Sequence, residues 1–256
     1  MDVKDFNQLI ERDGWVAIPN VLNKELLNQL QNSIDSSYSI CREIQNKNKL
    51  PLTDGTIHHL LGQDNIYLEI FREDIVLDYI DCFFSSKSII NSYGGVINLP
   101  SKNSYVHAVH RDIRSFSEEN VMLNMLVMID DFTLENGATW FLTGSHKNPV
   151  KPTDESFFKN ADRSVGSAGT VVFFNSNLWH AAGTNNSENV RRALTLNFTK
   201  PFMKQQFDYP RALGYEFCED LTDRLKQLVG YFARVPSNLD EWYQLPEKRF
   251  YRPDQG

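Results

Sequence analysis

The chain has 256 residues, 41% hydrophobic and 23% charged, which allows a sizeable core and is ordinary for a soluble globular protein. Its net charge of −7 argues against a nucleic-acid surface, which needs a concentrated basic face. No apolar run approaches the roughly 18–20 residues that cross a bilayer, so no membrane partner is expected.

Met1–Phe6 has neither the basic start nor the apolar run of a secretory signal. Cys41, Cys82 and Cys218 are odd in number, far apart and outside any CxxC pattern. They read as free thiols in a reducing compartment, so the expected location is cytoplasmic. No repeat, low-complexity tract or Pro/Gly/Ser-rich linker divides the chain. It reads as a single domain over 1–256, with a helical front (1–86), a β core (87–202) and a C-terminal helix and aromatic tail (203–256).

In chain order, Gly14-Trp15-Val16-Ala17-Ile18 reads as a short strand ended by Pro19-Asn20. Asn23 can cap a helix opening Lys24-Glu25-Leu26, with Leu26, Leu27, Leu30 and Ile34 at helical spacing. A second helix is predicted over Ile66–Phe84, where Ile66, Ile70, Phe71, Ile75, Leu77 and Ile80 form an apolar stripe suited to packing on a sheet. His58 and His59 are adjacent and read as loop residues facing solvent, since neighbours on regular structure do not share a site.

From Lys87 the pattern changes to short runs rich in β-branched and aromatic residues. These are Ser88–Leu99, Tyr105–His110, Val121–Ile129, Ala138–Leu142, Gly169–Phe174 and Ala193–Phe198. Turn material separates the runs, such as Gly94-Gly95, Glu135-Asn136-Gly137, Gly144-Ser145 and Asn185-Asn186-Ser187. Short strands without long intervening helices predict an antiparallel sandwich or barrel. Helix returns near Glu216–Val229, followed by Trp242-Tyr243-Gln244-Leu245-Pro246, a tail that can pack on the body or cover a site mouth.

The chemistry concentrates in His110-Arg111-Asp112, Trp179-His180 and Arg191. Side chains alternate along a strand, so His110 and Asp112 share one face and Arg111 takes the other. Two imidazoles and a carboxylate can hold one face of an octahedral Fe(II) and leave three positions open. The bare His-x-Asp pattern is weak: six histidines and 33 acidic residues make roughly one chance occurrence expected. Context strengthens it. His180 follows the run Val171–Asn175, and Arg191 opens another β-like run.

With these pieces in place, the chain resembles the phytanoyl-CoA dioxygenase family of Fe(II)/2-oxoglutarate-dependent oxygenases. The matching stretches are His110-Arg111-Asp112, Leu126–Asp131 leading into Glu135-Asn136-Gly137-Ala138, and Leu142-Thr143-Gly144-Ser145-His146-Lys147. Trp179–Asn185 and Arg191-Arg192-Ala193-Leu194 complete the match, which covers most of residues 10–200. The resemblance implies an α+β protein with a mainly β core, a double-stranded β-helix (jelly roll, cupin-like) with N-terminal and C-terminal flanking helices. It implies His110, Asp112 and His180 as catalytic iron ligands and Arg191 as partner of the distal carboxylate of 2-oxoglutarate. Arginine suits that role through its planar, permanently charged fork. Arg192, its neighbour, would face away on a strand.

Asn124 shares a face with Leu126 and Met128 and resembles a polar position near the cosubstrate in relatives; an Asn paired with backbone fits equally. Trp140 is a candidate wall of the cofactor site, although Trp140 and Trp179 both also read as core aromatics. Two residues depart from the family pattern. Thr143 stands where many relatives have Pro. Ala182 stands where many carry a Ser that helps bind the cosubstrate, a hydroxyl that Thr195 could replace. His107, Arg111 and Arg114 cluster near the ligands and are candidates for binding a negative group on the substrate, against the plainer reading of a solvated strand edge.

The implied reaction uses Fe(II), 2-oxoglutarate and O2, releases succinate and CO2, and returns an oxidised small molecule. Asp112 favours hydroxylation, or another oxidation such as desaturation, over halogenation, because related halogenases have a small residue there to admit halide. The alternative is a cupin-like metalloprotein, or a metal-binding module, that does not use 2-oxoglutarate and has no need of Arg191. The sequence sets no oligomeric state.

Overall fold

The computed structural model describes residues 1–51, 53, 55–102 and 104–255. Helix α1 (Val3–Asp13), absent from the sequence expectation, is capped by Asp2, whose side chain accepts from the Asp5 N–H at 2.8 Å. It buries Phe6 and Ile10 and ends at Gly14, which takes the left-handed conformation (φ 83°) and leads into strand β1 (Trp15–Ile18). Helix α2 (Lys24–Lys47) starts where expected: the Asn23 side chain accepts from the Leu26 N–H at 2.9 Å, and Leu27, Leu30 and Ile34 are buried.

The long helix expected over Ile66–Phe84 is instead two pieces. Asn65–Phe71 is a 3-10 helix, whose tighter turn buries Tyr67, Leu68, Ile70 and Phe71 together. The Arg72 N–H closes it onto Glu69 O, Glu73 is extended, and α3 (Asp74–Phe84) begins afresh. The expected C-terminal helix also divides, into a 3-10 helix over Glu216–Asp220 and an α-helix over Asp223–Val229 capped by Thr222. Trp242, Tyr243 and Leu245 in the tail are exposed.

The β core is two antiparallel sheets. The larger has the order β1-β7-β4-β9-β3-β2, with β2 (Thr56–Ile57), β3 (Ile89–Asn98), β4 (Met122–Met128), β7 (Val171–Asn175) and β9 (Arg191–Thr199). The smaller has the order β6-β5-β8, with β5 (Thr139–Phe141), β6 (Asp162–Ser164) and β8 (His180–Ala181). Alternation sorts the residues of the larger sheet. Leu123, Met125 and Val127 on β4, with Leu194, Leu196 and Phe198 on β9, join the core shared with the helices. Leu126, Met128 and Ala193 turn the other way and pack with Phe132, Phe141 and Phe174. The second face therefore points into the space between the sheets.

Two strand expectations need correction. Tyr105–His110 is not a strand: Tyr105–His107 forms a 3-10 turn, held by the His107 ring accepting from the Ser104 N–H at 2.9 Å. Only His110 regains strand pairing, in an isolated bridge to His180. Gly94-Gly95 is not a turn but lies inside β3, where a Cβ on Gly94 would press on the Ile57 carbonyl of β2 at 2.8 Å. The three cysteines are free. No described helix is long and apolar enough to cross a membrane.

Candidate active site

His110, Asp112 and His180 come together at one end of the space between the sheets. Each offers a ligand atom, and these atoms lie within 4.8 Å of one another, close enough to share one metal ion. His110 Nε2 is 3.7 Å from Asp112 Oδ1, and His180 Nε2 is 3.7 Å from Asp112 Oδ2. The backbone brings them there: the Asp112 N–H reaches Ser176 O at 3.2 Å, while His110 pairs with β8.

The tautomers follow from the neighbours. His110 Nδ1 lies 2.7 Å from Ala108 O and His180 Nδ1 lies 2.9 Å from Leu178 O, so each Nδ1 carries the proton and donates. Each Nε2 lone pair is thereby turned toward Asp112. Burial, and then the neighbouring His110, pull the His180 imidazole down to about 4, so it stays neutral and able to ligate at neutral pH. Asn124 donates Nδ2–H to Asp112 Oδ2 at 2.7 Å and fixes the carboxylate.

Arg191 is 2% exposed on the inward face of β9. Its guanidinium carbon sits 3.9 Å from the centre of the Phe132 ring. Nε and Nη1 are buried and have no hydrogen-bond partner among the described residues. Burial drives its pKa down to about 9, against the pull of Asp130. A buried cation with unfilled donors costs free energy until an anion arrives. The donor set and this orphaned guanidinium together fit a ferrous ion with a dicarboxylate beside it. Arg192 faces the opposite side, paired with Asp35 at 2.8 Å and Asp130 at 3.1 Å.

A cavity of about 330 Å³ touches His110, Asp112, His180 and Arg191 together. Asn124, Thr195, Ala182 and Arg114 also line it. Arg114 is exposed and forms no ion pair among the described residues. Three candidates lie elsewhere. Trp140 is on the far face of β5, stacked under the Arg163 guanidinium at 4.2 Å, and its neighbour Thr139 lines the cavity instead. Arg111 turns outward onto the Trp179 ring at 5.0 Å. His107 holds the Ser104 turn and is outside the cavity lining.

His58 and His59 both line the cavity: His58 is an exposed loop residue as expected, whereas His59 is half-buried. The chain turns at His59 through a left-handed conformation (φ 57°), which breaks the alternation that would separate neighbours. His59 stacks on Phe207 with ring centres 4.6 Å apart and meets the Tyr209 hydroxyl at 3.2 Å. Ser92, Tyr105, Asn197 and Gln206 also belong to the polar part of the wall and escaped the sequence reading. Thr143, in place of the usual proline, accepts from the Trp15 indole N–H at 2.9 Å and donates to Asp162 at 2.6 Å.

The chain is similar to known proteins in sequence and in fold. The chain is 37% identical over 209 residues to an uncharacterised protein of Mycobacterium tuberculosis, covering 79% of this chain and 76% of that one. It is 24% identical over 250 residues to an iron/alpha-ketoglutarate-dependent dioxygenase of Aspergillus calidoustus, covering 90% and 82%. Among solved structures, EctD from S. alaskensis with 2-oxoglutarate and 5-hydroxyectoine superposes with a TM-score of 0.64 at 17% identity, covering 78% of this chain and 76% of that one. The epimerase SnoN in complex with Fe3+, alpha ketoglutarate and nogalamycin RO gives 0.60 at 15% identity, covering 77% and 83%.

The fold is thus a double-stranded β-helix with flanking helices, and the class is that of 2-oxoglutarate-dependent non-haem iron dioxygenases, using Fe(II), 2-oxoglutarate and O2. The family model of phytanoyl-CoA dioxygenase (PhyH) matches residues 10–193, and the chain belongs to that family.

Proposed function

We propose that the protein hydroxylates a C–H bond of a small polar or anionic metabolite, with His110, Asp112 and His180 holding Fe(II) and Arg191 binding the distal carboxylate of 2-oxoglutarate. When bound, Fe(II) with 2-oxoglutarate and O2 supplies an oxidative decarboxylation that turns R–H into R–OH and releases succinate and CO2. The observation that carries the reading is Arg191: its buried, unpartnered Nε and Nη1 belong to a residue that lines the same cavity as the His-Asp-His cluster. A metalloprotein without 2-oxoglutarate leaves that cation uncompensated.

The chain's residues divide the work. The two imidazoles present Nε2 lone pairs, and Asp112 would take the place that halide needs in a halogenase, which favours hydroxylation over halogenation. Thr195 and Thr139 bring hydroxyls to the cavity that Arg191 also lines, where Ala182 has none. Beyond the cluster the wall carries Arg114, His58, His59, Tyr105 and Gln206, and Asp112 is the one carboxylate among the described lining residues. That balance suits a substrate bearing a negative or strongly accepting group. The volume is at the small end of ligand sites, roughly 300–1,000 Å³, and must also hold the cosubstrate, which argues against a bulky lipid.

The test is succinate formation by the Fe(II)-loaded protein over a panel of small carboxylates, amino acids and phosphorylated metabolites, beside 2-oxoglutarate binding to the Co(II)-loaded protein. The expected result is substrate-dependent succinate and loss of 2-oxoglutarate binding in Arg191→Ala. Undiminished binding in that variant overturns the assignment of Arg191.

A further inference from the structure

Behind Asp112, three neighbouring strands carry a row of polar side chains. Asn124 on β4 is directly opposite Asn197 on β9, and Asn197 is directly opposite Ser92 on β3. An irregularity between Ile90 and Ser92 shifts the β3 register, so Ser92 faces Asn197 while the Asn91 amide turns to Lys204 O at 2.8 Å. All three members of the row line the cavity, and Asn124 is 1% exposed. Leu126, Met128 and Ala193 fill the same inward face elsewhere, so packing alone has no need of amides there.

The hydrogen bonds of this row have one permitted direction. An ionised carboxylate only accepts, so Asn124 must give its Nδ2–H to Asp112 Oδ2. The Asn124 carbonyl then accepts from Asn197 Nδ2, and the Asn197 carbonyl accepts from the Ser92 hydroxyl. Each amide side chain in the row thus both donates and accepts, and the dipoles align toward the carboxylate. Oδ1 of Asp112 receives no hydrogen bond among the described residues and faces His110 Nε2, while Oδ2, which accepts from Asn124, faces His180 Nε2.

We propose that Ser92, Asn197 and Asn124 form a one-way relay that positions Asp112, holding its carboxylate through Oδ2 in the orientation from which it would ligate the metal. This rests on the reading of Asp112 as a metal ligand. The three are positioning residues. The relay fixes the carboxylate plane through Oδ2 before any metal arrives.

Co(II) titration of the full chain tests the relay, with the visible absorption of bound Co(II) as a second readout. Asn124→Leu is expected to weaken Co(II) binding by about 10–100-fold, the usual range for residues that orient metal ligands. Asn197→Leu should weaken it less and Ser92→Ala least, with Ser92→Thr restoring the original behaviour and the Co(II) bands shifting in the same order. A merely structural role would instead lower the melting temperature and leave the spectrum alone. Unchanged affinity and spectrum in Asn124→Leu overturn the relay; if that variant fails to fold, an unchanged spectrum in Ser92→Ala does so. Asp112→Ala separates the two claims. Lost binding there with none lost in Asn124→Leu sinks the relay alone, whereas retained binding in Asp112→Ala sinks the ligand reading and the relay with it.

Discussion

His110 and His180 hold each other through the main chain: the His110 N–H donates to His180 O at 3.0 Å and the His180 N–H donates to His110 O at 2.9 Å. The two rings sit 4.3 Å apart, and each Nδ1 donates to the carbonyl two residues earlier in its own segment. Residues distant in the chain are thus set in register by backbone pairing, and the metal completes a site it does not have to build.

A preformed site makes metal binding a stabilising ligand event. Co(II) at about 100 times its dissociation constant should add roughly 2.7 kcal/mol to the unfolding free energy. Thermal melts with and without the ion, and after chelator, check this. A melting temperature indifferent to Co(II) in the native chain, or equally responsive in Asp112→Ala, would count against the cluster as the binding site.

Arg191 should trade stability for binding. Its guanidinium is buried with two donors unfilled, and burial lowers its pKa to about 9, so it remains charged and unsatisfied at neutral pH. A buried cation whose donors have no partner costs free energy that an apolar side chain of similar length does not. Arg191→Met should therefore melt no lower than the native protein without ligand, and should lose the extra stabilisation that 2-oxoglutarate gives the Co(II) form. The same 2-oxoglutarate shift in both proteins would refute this role.

Arg192 should behave in the opposite way. Its side chain grips Asp35 of α2 through Nε and Nη2 at 2.8 and 2.9 Å, and Asp130 through Nη1 at 3.1 Å. It ties a helix to the sheet and lies outside the cavity lining. Arg192→Ala should cost on the order of 1 kcal/mol, since the Asp35 end is half exposed and solvent-screened. Urea unfolding measures that loss, and 2-oxoglutarate affinity should be unchanged.

The contrast between these neighbours shows what was legible in the sequence. Alternation on a strand separates Arg191 from Arg192, and residue chemistry together with the surrounding motifs marks His110, Asp112 and His180. The spacing of the turn motifs also has a physical cause: Gly137 has φ 84°, and a Cβ there would collide with the Gly183 carbonyl, so the Asn-Gly turn and the glycine after His180-Ala181-Ala182 meet backbone to backbone. What misled was phase and local override. The composition of Tyr105–His110 suits a strand, but the Ser104–His107 cap tightens it into a 3-10 turn. Nothing in the sequence says which of Thr139 and Trp140 faces inward. Ser92 and Asn197 look like the solvent side of their strands until the register aligns them with Asn124.

Acid should loosen the metal-free protein before carboxylate titration dominates. His59 and His146 each have a pKa lowered from 6.5, with burial as the first cause. A base whose folded pKa is depressed is neutral in the native state while the unfolded chain still takes up its proton. The sign follows: stability from these groups is fully present above about pH 6.5 and is lost as pH falls toward their folded values, below which both states are protonated. Urea unfolding of chelator-treated protein should show a constant free energy between pH 7 and 8 and a decline from pH 6.5 to 5, with proton uptake on unfolding. His146→Gln should flatten part of that decline, because His146 lies outside the cavity, anchored to Glu11 O at 3.1 Å. A free energy independent of pH from 7 to 5 would show that these imidazoles are as free to protonate in the fold as in the open chain.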